Sequence, residues 1–237
     1  MSTITTEQTI SEIAAQTPSS IRVFENLGID YCCGGKRTLT VAAAKAGVTV
    51  DSIVKLLDDA ERGNPPSTQN WLEAPLTALI AEIVDRHHSF VRREIPRLNA
   101  LAAKVAKRHG GAGHPEAVEI ESTFGALGDE LTLHLMKEEQ ILFPYIGGMA
   151  AQGTPPAACF GTVQAPIANM VAEHEDAGAL LEKLRELTNA YQPPTDACPS
   201  FQALYTGLAD FERDLHQHIH LENNILFPRA VEMERAH

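Results

Sequence analysis

The 237-residue chain has little of the material that sheets are made from: eight Phe, four Tyr and one Trp hold aromatics to 5%. No convincing run alternates polar and apolar side chains, which disfavours a strand-based fold. Nowhere do 18 apolar residues follow one another, which leaves no membrane-spanning helix. The first residues, Met1 to Glu7, lack a basic stretch followed by an apolar run, so a cytoplasmic protein is expected. Basic residues are also short: 19 Lys and Arg face 31 Asp and Glu, a net charge of −12 that argues against nucleic-acid partners. Four cysteines are too few for a disulfide framework, and the adjacent Cys32 and Cys33 could join only through a strained link. All four read as reduced thiols.

What the chain does have is Ala, Leu and Glu, the good helix formers, and enough length for a substantial core. It also repeats itself. His134-Leu135-Met136-Lys137-Glu138-Glu139-Gln140-Ile141-Leu142-Phe143-Pro144 and His218-Ile219-His220-Leu221-Glu222-Asn223-Asn224-Ile225-Leu226-Phe227-Pro228 share the pattern His-x3-Glu-x2-Ile-Leu-Phe-Pro. On a helix, residues i and i+4 share a face about 6 Å apart along the axis. Each copy therefore offers an imidazole and a carboxylate to one point. A single His-x3-Glu pair arises by chance in a chain with ten His; two with the same tail do not.

Residues 7 to 62 read as four short helices. Ile10, Ile13 and Ala14 mark the first, Ser19 or Ser20 caps a second through Leu27, Thr38 opens a third, and Val50 to Leu57 form a fourth. Gly28 and Gly47 stand where helices should stop. Between the second and third lies Asp30-Tyr31-Cys32-Cys33-Gly34-Gly35-Lys36. Its two thiols, with Lys36 and Arg37 to lower their pKa, suit an exposed redox or metal-transfer pair; a buried cysteine turn is the other reading. A Pro-rich linker over 63–72 separates this segment from residues 73–237.

From Trp71 onward apolar residues recur at helical spacing in four blocks: 75–107, broken or kinked near Pro96; 115–146, ended or bent by Pro144; 164–190; and 200–234. Gly- and Pro-rich breaks separate them, so the expected fold is all-α, an antiparallel four-helix bundle. Each helix spends an inward position on histidine. His88 lies among Ile80, Val84, Val91 and Ile95; His134 among Leu127, Leu131, Ile141 and Leu142; His174 among Met170, Val171 and Leu181; His218 among Phe211, Leu215 and Ile225. One such His is more often a hydrogen-bonded core residue than a ligand. Four, with only Glu138 and Glu222 to satisfy them, are hard to bury without a cation. Four His and two Glu suit a dinuclear iron or manganese centre better than a closed zinc site, and six ligands leave positions open. His87 falls at the margin of its face. His216 and His220 point away from His218 into solvated or outer positions; His109, His114 and His237 read as surface, and Cys159 and Cys198 carry no signal.

The Cys-Cys-Gly-Gly segment followed by His88, His134-x3-Glu138, His174 and His218-x3-Glu222 resembles, over nearly the whole chain, the bacterial iron–sulfur cluster repair di-iron proteins, the Ric family. The resemblance implies a small N-terminal helical domain and a hemerythrin-like bundle holding two non-haem iron ions, oxo- and carboxylate-bridged through Glu138 and Glu222. It further implies a cytoplasmic homodimer that restores iron–sulfur proteins damaged by nitrosative or oxidative stress, with nitric oxide or dioxygen as small ligands. Iron donation and nitric oxide reductase activity are both open, and Cys32 and Cys33 are candidate redox or transfer thiols. Oxygen-carrying hemerythrins carry a second His four residues after the first on the third helix; here that residue is Gly178, which disfavours oxygen carriage. A di-iron oxygen or nitric oxide sensor is the alternative, and a bundle of merely satisfied histidines is the structural one.

Overall fold

Thr9 begins the first helix by a reciprocal cap: its hydroxyl accepts from the Glu12 N–H at 3.3 Å while Glu12 Oε2 accepts from the Thr9 N–H at 2.8 Å. The helices that follow are α1 (Ile10–Gln16), α2 (Ser20–Leu27), α3 (Leu39–Ala46) and α4 (Val50–Gly63). Gly28 and Gly47 close α2 and α3 at φ +64° and +69°, a conformation glycine adopts without strain. Neither serine acts as the expected cap of α2. Ser19 is itself helical in conformation, and the Ser20 hydroxyl turns inward to the Ile13 carbonyl. Ile10, Ile13, Phe24, Leu39, Ile53 and Leu57 form a core of their own beneath these four helices.

The computed structural model describes residues 4–63, 70–111 and 113–236, and among them there is no β-strand. Most of the expected linker lies outside the described residues. Beyond it the bundle consists of four rods. The first is α5 (Leu76–Glu82), a π-helical turn (Ile83–His88) and α6 (Ser89–His109). The second is α7 (Glu116–Lys137), a π-helical turn (Glu138–Leu142) and α8 (Phe143–Gln152). The third, α9 (Gln164–Leu187), is uninterrupted. The fourth is α10 (Pro199–Leu221), a π-helical turn (Glu222–Leu226) and α11 (Phe227–Arg235).

The π turns correct the expectation for Pro144. The rod does not end there, because the Phe143 N–H reaches back to the Glu138 carbonyl and Pro144 then falls in the first turn of α8, where a missing N–H costs least. Phe227 and Pro228 repeat this with the Glu222 carbonyl. Pro96 does not break its helix either. It and Arg92 both face solvent, so water can take up the carbonyl that the proline leaves free. The third helix stops at Leu187 rather than near 190: Asn189, Ala190 and Tyr191 all take positive φ, tied back by the Ala190 N–H to the Arg185 carbonyl and the Tyr191 N–H to Thr188 Oγ1. Ile141, expected inward, is 51% exposed, since the π turn shifts the register beyond Glu138. Its counterpart Ile225 is buried because α1 lies against the turn Glu222–Leu226.

Two apolar clusters fill the bundle. One contains Val91, Leu98, Phe124, Leu131, Leu181, Phe211 and Leu215; the other contains Leu79, Ile83, Phe143, Ile146, Met170, Leu226 and Phe227. On each rod the predicted ligands fall between the two, so a polar layer divides the core. The small domain sits against α9 and α10. Asn224 Nδ2 donates to the Tyr31 carbonyl at 3.2 Å, Gln217 Nε2 to Glu25 Oε1 at 3.3 Å, and the Tyr31 ring meets His216 and His220 edge-on.

In the cluster that contains Leu98, α10 crosses α6 where Gly207 meets that side chain. A Cβ on Gly207 would lie 2.5 Å from Leu98 Cδ2 and 2.7 Å from the Arg97 guanidinium. Gly207→Val should therefore cost about 1–3 kcal/mol through overpacking. Thermal unfolding followed by circular dichroism should show Tm lowered by several degrees; an unchanged or raised Tm would mean the crossing has slack.

Candidate metal centre

The predicted ligands meet in the layer between the two apolar clusters, at or beside the π turns of the first, second and fourth rods and on the unbroken α9 of the third. His88 Nε2 and His218 Nε2 lie 3.2 Å apart, and His134 Nε2 and His174 Nε2 lie 3.0 Å apart. Glu222 spans the two pairs: Oε1 is 2.9 Å from His218 Nε2 and Oε2 is 3.1 Å from His174 Nε2. Glu138 Oε2 is 3.4 Å from both His88 Nε2 and His134 Nε2. The side chains thus form two overlapping sets, His88–Glu138–His218–Glu222 and His134–Glu138–His174–Glu222, each with its ligand atoms within 4.8 Å of one another. All six are buried, and both carboxylates belong to both sets.

Imidazole nitrogens this close need a proton or a cation between them. Burial alone would lower His88, but the Glu138 and Glu222 carboxylates raise it to about 10. His174 is likewise raised, against burial, to about 9 by Glu222. Burial and the neighbouring His174 push His134 down to about 4, and burial lowers His218 as well. Burial and repulsion from Glu222 raise Glu138 to about 8, while the surrounding imidazoles hold Glu222 down despite burial. Both Glu138 oxygens and Glu222 Oε2 lack a conventional hydrogen-bond partner among the described residues. Orphaned buried carboxylate oxygens facing four imidazoles are what a pair of bound cations would satisfy.

A ring of further residues, missed in the sequence, orients the imidazoles. Glu139 Oε1 takes the His88 Nδ1 hydrogen at 2.6 Å, Asn223 Oδ1 that of His174 at 2.9 Å, and Glu173 Oε2 that of His134 at 2.8 Å. Arg92 and Lys137 in turn hold Glu139 and Glu173. Glu139 and Asn223 occupy matching places, although their unlike chemistry concealed the match. Their signal was adjacency: a residue next to a ligand lies about 100° round the helix and faces the neighbouring rod. His87 is buried, not marginal; it stacks on His218 and its Nδ1 lies 3.1 Å from Asp214 Oδ1, but it is in neither ligand set. His220 is buried and His216 partly so, under Tyr31, instead of solvated. At the far end of the bundle His114 meets His109 and Phe201 edge to face, His109 lies tilted against Phe201, and Cys198 Sγ lies 3.4 Å from His109 Nε2.

The cysteine pair is not exposed. Asp30 accepts from the Cys32 and Gly34 N–H groups at 3.0 and 2.7 Å, and this turn aims the thiols at α9. Cys32 is 4% exposed, with Sγ 3.8 Å from Cys33 Sγ and 3.2 Å from Asp30 Oδ1. Their hydrogen bond raises Cys32 and lowers Cys33, so the lowering comes from the neighbouring thiol and not from Lys36 or Arg37. Cys33 Sγ lies 3.4 Å from the His174 carbonyl and 3.6 Å from where a Cβ on Gly178 would be. All four cysteines are free.

Four rods around a buried layer of four imidazoles and two shared carboxylates make a helical bundle whose two overlapping ligand sets fit a pair of cations. The chain belongs to the hemerythrin HHE cation binding domain family, whose model matches residues 79–230, and to the wider group of full-length relatives that carry the same N-terminal segment. A second model, ScdA_N, described as a domain of unknown function, matches residues 6–61. The iron-sulfur cluster repair protein YtfE of Pectobacterium atrosepticum is 41% identical over 230 residues, 96% of this chain and 98% of its own. Those of Yersinia pseudotuberculosis and Dickeya chrysanthemi, with the same printed name, are 40% and 39% identical, again over 96% of this chain and 98% of theirs. The donor set and the family together make the cofactor a di-iron centre.

Ion binding must displace the protons that Glu138, His174 and His88 hold at pH 7, with values of about 8, 9 and 10. Each displaced proton changes apparent affinity about tenfold per pH unit. Affinity for ferrous iron should therefore climb steeply from pH 6.5 to 8 in competition titrations against a chelator, once corrected for the chelator's own protonation. A flat profile would contradict this proton inventory.

Proposed function

We propose that His88, His134, Glu138, His174, His218 and Glu222 hold two non-haem iron ions, bridged by Glu138 and Glu222, and that the chain uses them to repair iron–sulfur clusters damaged by oxidative or nitrosative stress. The observation that carries this reading is the sharing of both buried carboxylates between two four-ligand sets. The printed name of the full-length relatives supports the repair role. When bound, the iron pair supplies one-electron chemistry and coordination positions that six protein ligands leave open. The chain's own contribution is placement. Glu139, Asn223 and Glu173 hold three imidazoles with Nε2 inward, and the apolar clusters on either side exclude bulk water. Repair then proceeds by supplying iron to a damaged cluster, by removing nitric oxide at the open positions, or by both.

In this reading residues 1–62 and 73–237 are two domains joined through 63–72, and Cys32 and Cys33 are transfer thiols. Their partners are damaged iron–sulfur proteins, with nitric oxide or dioxygen as small ligands. We place the protein in the cytoplasm, where a vicinal thiol pair stays reduced. No helix among the described residues is long and apolar enough to cross a membrane. The exposed Leu133, Met136 and Ile141 on one side of the second rod suit a homodimer contact. Met136→Glu should then shift the protein to the monomer in sedimentation; a wild-type monomer would refute the dimer.

The repair reading is tested on protein purified without oxygen. It should carry about two irons per chain, and His134→Ala and Glu222→Ala should lose iron together with thermal stability, since bound metal contributes to folding free energy. Mixed with an iron–sulfur protein bleached by nitric oxide, the loaded wild type should restore the cluster absorbance and the variants should not. Restoration by both variants at the wild-type rate would overturn the assignment.

A further inference from the structure

The two hairpins repeat one another, and the repeat reaches the residues that orient the ligands. Glu139 and Asn223, each following a bridging Glu, hold His88 and His174. The residue preceding each first histidine should by the same logic hold the histidine of the neighbouring rod. Glu173, before His174, does so for His134. Its counterpart before His88 is His87, and the match fails there. His87 lies flat against His218 with ring centroids 5.8 Å apart and gives its Nδ1 to Asp214. His218 Nδ1, fully buried, has no acceptor among the described residues. Asp214, one turn earlier on the same helix, spends one carboxylate oxygen on His87 and leaves the other unpartnered.

The backbone supplies a reason. The first rod ends its π turn at His88, with the Ser89 N–H bonded to the Val84 carbonyl, whereas α9 passes His174 without interruption. Residues 87 and 173 therefore approach their neighbouring rods differently. A metal-bound imidazole whose other N–H has an acceptor is fixed in tautomer and orientation and is the more basic ligand; losing such a partner costs about 10–100-fold in metal affinity.

We propose that the two iron positions are unequal and that the one between His88 and His218 is the first to release its ion. The inference rests on the di-iron reading above and adds which half of the site gives up iron: the half whose fourth imidazole is unanchored. His87 is the residue that sets the inequality, as a positioning residue and not a ligand. Asn223, Glu139 and Glu173 keep the other three imidazoles in place.

The test follows release of ferrous iron from anaerobically loaded full-length protein to a chromogenic chelator, after the iron content has been measured. Two irons released in two phases of equal amplitude, at rates at least about tenfold apart, are expected. His87→Glu copies Glu173 and offers His218 Nδ1 a carboxylate, so the fast phase should slow toward the slow one. Glu173→Ala removes the anchor of His134 and should speed the slow phase toward the fast one. Release of both irons in one phase from the wild type would overturn the proposal, as would acceleration of the fast phase alone by Glu173→Ala. Should His87→Glu fail to fold, the wild type and Glu173→Ala decide the matter by themselves. Fewer than two irons before the chelator is added would instead refute the di-iron reading on which this one stands.

Discussion

Two carboxylates, Glu138 and Glu222, are wholly buried 3 to 4 Å from four imidazoles, and most of the architecture answers to that placement. A carboxylate taken out of water is costly unless charge or hydrogen bonds compensate it. Here the compensation comes only from the imidazoles and from whatever cation joins them. The polar layer accordingly splits the bundle core in two, and both halves are packed with large apolar side chains that keep the layer dry. Arg92, Lys137, Glu139 and Glu173 lie further out, where they are partly solvated and an ion pair can form at less cost. The order from centre to surface is thus carboxylate, imidazole, carboxylate or amide, and finally basic side chain. Each step moves charge toward water.

The same constraint accounts for the π turns. A His and a Glu one turn apart reach a common point, but the Ile-Leu-Phe-Pro tail has to re-enter the apolar core immediately afterwards. Inserting one residue at Glu138 and Glu222 lets the carboxylate keep its inward aim while the following Leu and Phe rotate into the core. The proline two residues beyond each turn then falls at the beginning of a new helical segment, the one place in a long rod where it removes no hydrogen bond. π turns concentrate at functional sites for this kind of reason, because they decouple the face that holds ligands from the face that packs.

The cluster of four His and two Glu that the fold gathers was legible in the sequence because it consists of exceptions to an otherwise apolar stripe, and the repeat doubled each exception. The rods were legible for the same reason, apart from their proline positions. What was hidden depends on neighbours that have no sequence proximity. Glu173 looks like a surface residue until α7 and α9 are set side by side, and Asn223 does until the fourth rod is set against α9. His220 looks solvated until Tyr31 covers it. Pro96 reads as a break because a helical pattern says nothing about whether the orphaned carbonyl at Arg92 meets water. The residues left the cysteine pair between an exposed and a buried reading, and the buried one holds because Asp30 accepts from the Cys32 and Gly34 N–H groups and folds the loop inward.

Gly178 shows how one residue can disfavour a function and permit a structure at once. Read alone, it removes a histidine that an oxygen carrier would place there. In the folded chain it leaves one turn of α9 bare, beside the ligand His174, and Cys33 occupies that space. The small domain meets the bundle on the α9 and α10 side, through Gln217, His220, Asn224 and Ile225. The matching positions on the second rod, Leu133, Met136 and Ile141, remain exposed and apolar. The internal twofold of the bundle therefore survives in the sharing of Glu138 and Glu222 between the two ligand sets, is broken at His87, and is absent at the surface. The asymmetry grows outward because both carboxylates belong to both ligand sets, whereas one docked domain can cover only one of two equivalent faces.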